Sequence, residues 1–490
     1  MTGLGTPENP LRVAIVGSGP AGFYAAEHLL KRDDVTVAVD MFDRLPTPFG
    51  LVRAGVAPDH PKIKSVIRMY EKTAAREGYQ FFGNVDIGTD VTVAELEQRY
   101  HAVISAYGTA TDRQLGIPGE DLPGSHAATE FVNWYNAHPD FADHDFDLSA
   151  KRAVVIGNGN VAADVARMLA LPRAELDVTD TADHAIESLS ESAVEEIVVL
   201  GRRGPAQAAF TNPEVRELGE LTDADIIIDP AEMELDEASR AYFESDDCDP
   251  THRRNVEIFT EFSQRAPEGK PKRVVMRFCS SPIEIRGDGK VESIVIGRNE
   301  LYSDDSGAIR ARDTGEREEL ECGLVLRSIG YKGVGLEGLP FDPGRGVIPN
   351  DSGRVTDPDS GEQVPGHYVV GWIKRGPSGV IGTNKKDAAD TVASIFEDLE
   401  AGAIPDLQPN PRTPAAEGED VAGVIPEDVA GVIPIAELLD ERGGDHVTYM
   451  GWQAIDRAEQ AAGEPHGRPR VKFCRVHEMV EAAREAAPAG

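Results

Sequence analysis

Cysteine is scarce in this sequence, and the cysteines that occur are widely separated. The 490 residues contain Cys248, Cys279, Cys322 and Cys474. No two of them form the C-x-x-C pair of a redox disulfide, and no set has the spacing of a zinc site or an iron–sulfur cluster. We therefore expect buried free thiols, no metal site, and no route for electrons through a protein disulfide.

Positive charge and long apolar runs are also in short supply. Lys and Arg number 49 against 85 Asp and Glu, which gives a formal net charge of −36. That balance disfavours nucleic acid or an anionic membrane as the main partner. No stretch approaches the roughly 20 apolar residues of a membrane span. Because MTGLGTPENP lacks the charged and apolar regions of a secretory signal, we expect a cytoplasmic protein without membrane insertion.

A strand, a glycine turn and a helix stand near the start of the chain. The β-branched run at residues 12–16 predicts a buried strand, Gly17, Gly19 and Gly22 spell G-x-G-x-x-G, and FYAAEHLL predicts a helix. Such glycines allow a tight turn, close approach of the backbone to a pyrophosphate, and close helix–strand packing. The helix N-terminus favours the anion. The next predicted strand ends at Asp43, whose carboxylate suits a ribose diol, so this unit predicts dinucleotide binding.

A second unit of the same kind begins with the predicted strand at residues 151–156. Gly157, Gly159 and Ala162 then spell G-x-G-x-x-A, and VAADVARMLA predicts the following helix. An acidic helical insertion at residues 176–195 separates this helix from the next predicted strand, EEIVVL. Two such units on separate strands make a coincidental glycine pattern an unlikely explanation.

The strand of the second unit ends in Arg202 and Arg203 instead of an acid. An arginine pair at this position suits the 2′-phosphate of NADP, whereas an acid suits an unphosphorylated ribose. At about 1.5–3 kcal/mol for each hydrogen bond to a charged group, two contacts would favour NADPH over NADH by ~10²–10⁴. The alternative interpretation is a solvated basic turn.

The order of the remaining segments predicts how the two units are connected. Residues 223–272 are acidic and predict helices, and strands with hairpin signals follow them. A late strand and helix, around HYVVGWIKRGPSGVIGT, would complete the first sheet, so we expect the second domain to be inserted in the first. The sequence predicts an α/β fold with two Rossmann-like dinucleotide-binding domains and a C-terminal extension. The predicted boundaries are 1–108 and 335–402 for the first domain, 109–334 for the second, 403–434 for an acidic Pro-rich linker that repeats EDVAGVIP, and 435–490 for the extension.

Several motifs together resemble the adrenodoxin reductase family, and most closely its bacterial NADPH–ferredoxin reductases. They are GSGPAGFYAA, PFGLVRAGVAPDHPKIK, FFGN, IPGEDLPG, VVIGNGNVAADVAR, LGRRGPAQAAF, RSIGYKG and GWIKRGPSGVIGTNKKDA, spread over residues 11–402. The tail, with GEPHGRPRVKF, resembles the extension of the actinobacterial members. The resemblance implies a flavoprotein that takes a hydride from NADPH onto FAD and passes single electrons to a ferredoxin, an acidic iron–sulfur protein. We expect a monomer or a weak dimer.

The resemblance also implies which residues contact each cofactor. With the glycines of the first motif, FAD would be lined by Gly17, Gly19, Ala21, Gly22, Asp43, Leu51, Ile87, Trp372, Gly379, Val380 and Ile381. NADPH would be held by Arg113, Asn158, Gly159, Asn160, Val161, Arg202, Arg203, Glu214 and Gly379. The family's acidic ribose residue is usually Glu and here is Asp43, which is one methylene shorter and weakens one expected contact.

Two ionisable residues are expected nearest the reacting rings. His60 lies in the turn Asp59-His60-Pro61, and Asp164 lies in the helix of the second motif. The alternatives are a histidine that only stabilises its turn and a helix polar group with satisfied hydrogen bonds.

Other functions stay open beside the reductase. One is an NADPH dehydrogenase that reduces a quinone or another small acceptor, and the other is a non-catalytic NADP-binding redox sensor. An acidic ferredoxin would be repelled by a net charge of −36, so basic residues should mark its docking site. We predict Arg216, Arg253 and Arg254, with the Lys374–Arg375 side or the basic GRPRVKF tail as the alternative.

Overall fold

The computed structural model describes residues 3–407 and 432–485. Within them the strands are β1 (Leu11–Val16), β2 (Val37–Asp43), β3 (Tyr79–Gly83), β4 (Ala102–Ser105), β5 (Thr111–Asp112), β6 (Ser125–Ala127), β7 (Arg152–Ile156), β8 (Glu196–Leu200), β9 (Ala224–Ile228), β10 (Lys272–Arg277), β11 (Ser280–Arg286), β12 (Ser293–Ser303), β13 (Ile309–Glu321), β14 (Leu324–Arg327), β15 (Tyr331–Lys332), β16 (Asn350–Asp351), β17 (Arg354–Thr356) and β18 (Gln363–Val369). All but the last three residues of the EDVAGVIP repeat lie outside the described residues.

The helices surround these strands. In chain order they are α1 (Pro20–Leu29), α2 (Leu51–Ala54), α3 (Pro61–Lys64), α4 (Ile67–Ala74), α5 (Val93–Glu97), α6 (Ala128–Tyr135), α7 (Asn160–Ala170), α8 (Arg173–Leu176), α9 (Asp183–Ser190), α10 (Asn212–Leu218), α11 (Glu237–Glu244), α12 (Pro250–Ser263), α13 (Trp372–Arg375), α14 (Thr383–Glu400), α15 (Ile435–Glu441), α16 (Tyr449–Gly463) and α17 (Val476–Arg484). Short 3₁₀ turns occur at Pro139–Phe141, Pro205–Gln207, Pro230–Met233 and Glu464–His466. No helix in the described ranges is long and apolar enough to cross a membrane.

The first sheet is built around the first glycine unit. Among the described residues its order is β16-β17-β18-β4-β1-β2-β3, and the strands from β18 to β3 run parallel. The central strand β1 is buried at five of its six positions, as expected for a parallel sheet covered by helices on both faces. Strands β16 to β18 follow the second glycine unit in the chain. The predicted insertion of one domain in the other is therefore confirmed, while its residue boundaries stay a prediction.

The second sheet carries the second glycine unit. Its described order is β6-β14-β7-β8-β10-β9, with every pair parallel. The edge strand β9 lies inside residues 223–272, so the prediction of a wholly helical segment there was wrong. In β9 the alternate residues Ile226 and Ile228 are buried while Asp225 points outward and accepts hydrogen bonds from the backbone of residues 268–270. The β-strand preference of three successive isoleucines, with alternate residues buried, decides the structure here despite the acidic residues around them.

A three-stranded antiparallel sheet, β11-β12-β13, covers one face of the second sheet. Ile285, Ile294 and Ile296 pack with Ile156 and Leu200 in one apolar cluster. The pairing of β12 with β13 shifts register between Gly297 and Asn299, which is a β-bulge. This sheet therefore rests directly beside the ends of β7 and β8.

The chain crosses between the two dinucleotide units through a two-stranded ribbon. Strand β5 pairs antiparallel with β15, so that Asp112 faces Tyr331 and Thr111 faces Lys332. The chain leaves the first unit through β5 and returns to it through β15. The two crossings therefore lie side by side.

The C-terminal extension packs against the first unit. Trp452 and Ile455 of α16, with Met479 of α17, join the apolar cluster that contains Phe49. Leu439 of α15 joins a neighbouring cluster. The helices predicted at residues 435–442 and 452–462 correspond to α15 and α16.

Candidate nucleotide and redox site

The first glycine turn has the geometry of a diphosphate cradle. Gly17 has φ of 108°, and a Cβ on it would lie 2.6 Å from the carbonyl oxygen of Ala106. A Cβ on Gly22 would lie 2.2 Å from the carbonyl oxygen of Gly17. A Cβ on Gly19, by contrast, would meet nothing within 4 Å. The turn therefore packs tightly on its protein side and opens on its other side at the start of α1, where an anion is favoured.

Asp43 is tied into this turn by backbone donors. Its Oδ2 accepts a hydrogen bond from the backbone N–H of Ser18 at 3.0 Å, and its Oδ1 accepts one from Leu45 at 3.0 Å. Burial raises the pKa of this carboxyl. The shorter side chain thus braces the glycine turn, and its contact with a ribose stays a prediction.

Close backbone contacts bring Leu51 to the same turn. A Cβ on Gly50 would lie 3.0 Å from Cα of Gly19, and the Leu51 side chain that follows is 37% exposed. Ile87 is buried in the neighbouring apolar cluster. An apolar side chain left open beside the glycine turn fits the flat ring system of FAD.

The loop after β18 reaches the turn from the other side. A Cβ on Gly371 would lie 2.6 Å from Cβ of Ala21, so Trp372 begins next to α1. The ring of Trp372 lies 5.3 Å from that of Tyr331, between centroids. Residues 379–381 precede α14, and the Val380 side chain is 58% exposed. Apolar exposure at this loop again fits a bound ring system.

The second glycine turn carries an unsatisfied amide. A Cβ on Gly157 would lie 2.2 Å from the carbonyl oxygen of Ser328, and Gly159 immediately precedes α7. Both side-chain polar atoms of Asn158 are buried and have no hydrogen-bond partner within the described residues. Buried polar groups are rarely left unpaired, so Asn158 fits a site that a polar ligand completes.

Of the other residues predicted to hold NADPH, some lie at this turn and one lies away from it. The side chain of Asn160 accepts a hydrogen bond from the backbone of Thr211 at 2.8 Å, and Val161 packs against the second apolar core. Arg113 is exposed beside the ribbon, where its backbone donates to Gly330 at 3.0 Å. Asn160 and Val161 therefore shape the turn, whereas Arg113 lies at the crossing between the units.

Arg202 and Arg203 follow β8 and are both exposed. Partial desolvation lowers the pKa of Arg203, and the positive charges of Arg202 and Arg310 lower it further. Three guanidinium groups therefore share this corner of the second unit, which gives it the local positive charge that a phosphate requires.

His60 lies at the centre of a buried polar cluster between the units. Its Nε2 lies 2.6 Å from Oε2 of Glu217 and also contacts Nη1 of Arg167. Its Nδ1 lies 3.8 Å from Glu214 Oε1 and 3.9 Å from Asp164 Oδ1. The structure therefore brings together His60, Asp164 and Glu214, three residues that the sequence named separately.

Arg167 supplies the positive charge of this cluster. Its Nη1 lies 2.9 Å from Glu217 Oε2 and 3.6 Å from both Asp164 Oδ1 and Glu214 Oε2. It also pairs with Asp59. His60, Glu214 and Glu217 lie close enough together to hold a metal ion. The Arg167 guanidinium contacts both of these carboxylates, so an arginine already offsets their negative charge.

Burial disfavours the charged form of two carboxyl groups in the cluster. Burial raises the pKa of Asp164 well above its usual range, and the nearby charge of Glu214 raises it further. Burial likewise raises the pKa of Glu214. Asp164 Oδ1 and Glu214 Oε2 are buried without a hydrogen-bond partner in the described part of the chain. Such a group can share a proton with a polar ligand in the cleft.

The cluster lies close to Trp372. Burial raises the pKa of Tyr331, which packs on Trp372, and the charges of Asp112 and Asp164 contribute to this rise. Tyr331 therefore contacts Trp372 and lies within reach of the charge of Asp164 in the polar cluster.

The sequence interpretation missed Arg167, Glu217 and the role of Asp59. A signal for them was present: Asp164 and Arg167 are three residues apart on α7, and Glu214 and Glu217 are three apart on α10. Such spacing places each pair on one helix face. What the sequence lacks is the information that these two faces meet over the turn that carries His60.

Comparison with known proteins agrees with this architecture. A family model described as pyridine nucleotide-disulphide oxidoreductase matches residues 11–199. NADPH-ferredoxin reductase FprA of Mycobacterium leprae is 51% identical over 480 residues, which cover 97% of this chain and 98% of that protein. The mitochondrial NADPH:adrenodoxin oxidoreductase of Arabidopsis thaliana is 41% identical over 493 residues, covering 97% and 95%.

A solved structure matches over nearly the whole chain. Mycobacterium tuberculosis FprA in complex with NADPH superposes with a TM-score of 0.87 at 49% identity, covering 97% of this chain and 100% of that chain. Sequence identity of this level, over this length, confirms the resemblance read from the motifs. The chain therefore belongs to the adrenodoxin reductase family, among its NADPH–ferredoxin reductases.

Proposed function

We propose that this chain is an FAD-dependent NADPH–ferredoxin oxidoreductase. The observation that carries the proposal is that two dinucleotide-binding units share one chain and build the His60 cluster together: His60 precedes α3 in the first unit, and Asp164 and Glu214 lie on α7 and α10 of the second. When bound, FAD supplies the chemistry, because a flavin accepts a hydride and releases electrons singly. The names of its relatives support NADPH as donor and a ferredoxin as acceptor.

The protein's first task is to bind and orient FAD. The open glycine turn would bind the diphosphate, and the exposed apolar side chains of Leu51 and Val380 would cover the rings. The residues proposed to contact FAD are Gly17, Gly19, Ala21, Gly22, Asp43, Leu51, Ile87, Trp372, Gly379, Val380 and Ile381. Burying these apolar side chains under the cofactor would exclude water from the reacting face.

The second task is to select and orient NADPH. Asn158 would satisfy its unpaired amide on the nucleotide, and Arg202 and Arg203 would bind the 2′-phosphate. Arg113, Gly159, Asn160, Val161, Glu214 and Gly379 complete the proposed NADPH contacts. Because the phosphate is absent from NADH, the arginine pair gives the site its preference.

The His60 cluster would manage protons at the cleft. His60 Nε2 is in hydrogen-bond contact with both Glu217 and Arg167, and Arg167 neutralises part of the surrounding negative charge. Burial raises the pKa of Asp164, which favours its protonated form. The cluster can therefore offer an uncharged donor at Asp164 where a fixed negative charge would repel an incoming dinucleotide.

Electrons would leave the flavin directly for the partner protein. The four cysteines are all free thiols, so no disulfide carries electrons inside the chain. This separates the proposed reaction from that of enzymes that pass electrons through a disulfide.

The partner is proposed to be an acidic ferredoxin that docks on a local basic surface. Arg216 is exposed on α10, one turn from the His60 cluster. Arg253 packs on Phe243 and Arg254 pairs with Glu257, so Arg216 is the more available cation. The monomeric or weakly dimeric state and the cytoplasmic location remain predictions of the sequence.

The alternative docking regions are already engaged within the chain. Lys374 and Arg375 pair with Asp387 at 3.0 and 3.2 Å. In the basic tail, Arg470 pairs with Asp456 at 2.5 Å and the Lys472 side chain is buried. These cations are neutralised internally, which favours the Arg216 side.

The test follows the colour of the flavin through both half-reactions. The purified protein should be yellow, should bleach with NADPH under anaerobic conditions, and should recover its colour when oxidised ferredoxin is added. Recovery with a quinone but not with any ferredoxin would favour the NADPH dehydrogenase. A protein that binds NADP⁺ but does not bleach would favour the redox sensor.

A further inference from the structure

The loop that carries Arg202 and Arg203 is held by the neighbouring three-stranded sheet. The backbone N–H of Ser280 donates to the carbonyl oxygen of Gly201 at 2.9 Å, and that of Cys279 donates to Arg203 at 3.0 Å. The carbonyl oxygen of Arg202, between them, accepts a hydrogen bond from a side chain, the Nδ2 of Asn299, at 2.9 Å. The carbonyl oxygens of three successive residues therefore accept hydrogen bonds. Two of the donors are backbone groups, and the third, on Asn299, is a side chain that a substitution can remove.

Asn299 reaches this carbonyl because of the bulge in its strand. The register of β12 against β13 shifts between Gly297 and Asn299, and a bulge re-aims the side chain of the residue at the irregularity. The backbone N–H of Asn299 also donates to Cys279 at 2.7 Å. Cys279 has φ of 50°, a left-handed conformation that is uncommon outside glycine. The bulge at Asn299 and the left-handed backbone of Cys279 therefore both lie where β12 contacts the arginine loop.

The side chain of Asn299 is buried while the arginines that it supports are exposed. Asn299 is 7% exposed, and its Nδ2 also donates to Ser281 Oγ at 2.8 Å. A Cβ on Gly204, at the end of the arginine loop, would lie 3.3 Å from Cδ1 of Leu301 on the same strand. The loop therefore lies directly on β12, with Asn299 as its polar contact.

We propose that Asn299 is a specificity-determining positioning residue for NADPH, because it fixes the backbone of Arg202 so that the arginine pair is oriented before the 2′-phosphate arrives. Exposed arginine side chains are flexible, and holding their backbone in place reduces the entropy lost on binding. Arg310, on the strand paired with β12, adds positive charge at the same corner. The inference rests on the proposed 2′-phosphate role of Arg202 and Arg203.

The experiment compares the binding of NADP⁺ and NAD⁺ to the FAD-loaded protein by titration calorimetry. Asn299→Leu keeps the approximate shape of the side chain and removes the donor. Since the Arg202 backbone would lose its side-chain anchor, we expect the Kd for NADP⁺ to rise about tenfold while the Kd for NAD⁺ stays within about twofold. The ratio of the two constants is the decisive measurement, because a general loss of stability would change both.

A second variant and a control keep the test decisive. Asn299→Asp is closer in shape and places a carboxylate against the Arg202 carbonyl, so its loss of NADP⁺ affinity should exceed that of the leucine variant. Ser281→Ala removes the other partner of the same amide and should leave both affinities near those of the parent protein. Equal losses for NADP⁺ and NAD⁺, or no loss in either Asn299 variant, would overturn the proposal.

The same titration separates the two levels of inference. Arg202→Ala with Arg203→Ala should abolish most of the preference for NADP⁺. If this double variant keeps the preference, the proposed phosphate site itself is wrong. If it loses the preference and the Asn299 variants do not, only the positioning role of Asn299 is refuted.

Discussion

Replacing Glu459 with Gln should loosen the C-terminal extension from the flavin unit. Glu459 is fully buried, with 0% exposure, and accepts hydrogen bonds from Arg53 Nη1 at 2.9 Å, from Arg53 Nη2 at 2.5 Å and from the backbone of Phe473 at 3.0 Å. Arg53 lies in α2, two residues after Leu51, and its guanidinium also packs on Trp452. The pair thus joins the extension to the segment proposed to cover FAD.

The magnitude follows from the charge that is left behind. Burial opposes ionisation of Glu459, yet its pairing with Arg53 lowers its pKa. Removing one partner of a buried pair costs about 3–5 kcal/mol, because the other charge is left uncompensated. Gln retains one acceptor oxygen, so we expect a loss near 3 kcal/mol. For a unit of this size that corresponds to a fall in Tm of about 5–10 °C.

The assay is thermal unfolding of the FAD-loaded protein, followed by flavin fluorescence and by circular dichroism. Glu459→Gln should release FAD at a lower temperature than the parent protein. The matched control is Asp456→Asn, three residues earlier on α16, which pairs with Arg470 at 2.5 Å but does not contact Arg53. The control should lower Tm by less than about 2 °C, since a partly exposed pair contributes little.

A double variant decides whether the charge is the cause. Arg470 also contacts Glu459, at 3.2 Å, but keeps Asp456 as its partner when Glu459 is replaced. Replacing both Arg53 and Glu459, as Arg53→Met with Glu459→Leu, therefore removes the uncompensated charge and should recover most of the stability lost in the single variant. The reasoning is refuted if Glu459→Gln melts with the control, or if the double variant is less stable than the sum of its single changes predicts.

Three further predictions concern the cleft and its surroundings. Arg202→Ala with Arg203→Ala should raise the KM for NADPH by ~10² while that for NADH changes little, as steady-state kinetics with both donors would show. Arg216→Glu should slow ferredoxin reduction several-fold at low salt and leave flavin reduction by NADPH unchanged, and stopped-flow measurement of each half-reaction would reveal any effect on the wrong step. Burial and the charge of Glu130 raise the pKa of Asp112 to about 7, so its ionisation costs stability progressively above about pH 4, and fully above pH 7. Asp112→Asn should therefore gain about 1 kcal/mol over the parent protein at pH 8 and almost nothing at pH 4, and equal gains in Tm at both pH values would contradict this assignment.

The backbone framework was largely predictable because its signals are local. Both glycine turns, the strands before them and the helices after them follow from spacing and apolar period. The strand β9 was missed because its three isoleucines stand among acidic residues. The acidic composition of the whole segment favoured helices, although the local apolar pattern indicates a strand. Strand β13 was missed because ten of its thirteen residues are exposed, so it has no apolar alternation to detect.

The site was predictable residue by residue but not as a constellation. His60, Asp164 and Glu214 were each named, yet their contact depends on how α7 and α10 meet over the turn before α3. Arg167 escaped notice because a cation near the end of a helix commonly serves the helix itself. For Asp43 the sequence predicted a contact with a ligand, the ribose of the dinucleotide. In the structure its carboxylate accepts hydrogen bonds from the protein backbone.

The paired ribbon between the units makes the middle of the chain a separable cassette. Because Thr111 and Lys332 are partners across β5 and β15, everything between them begins and ends at neighbouring points in space. A short turn joining these two positions would close the first unit around its own seven-stranded sheet, with no strand of that sheet removed. The same junction would accept a foreign nucleotide-binding unit of any length whose ends lie equally close. Donor specificity could therefore be exchanged in this fold without removing a strand of the flavin unit's sheet, and the new unit would have to supply partners for Arg468 and Lys472 of the extension, which pair with Asp183 and Asp180.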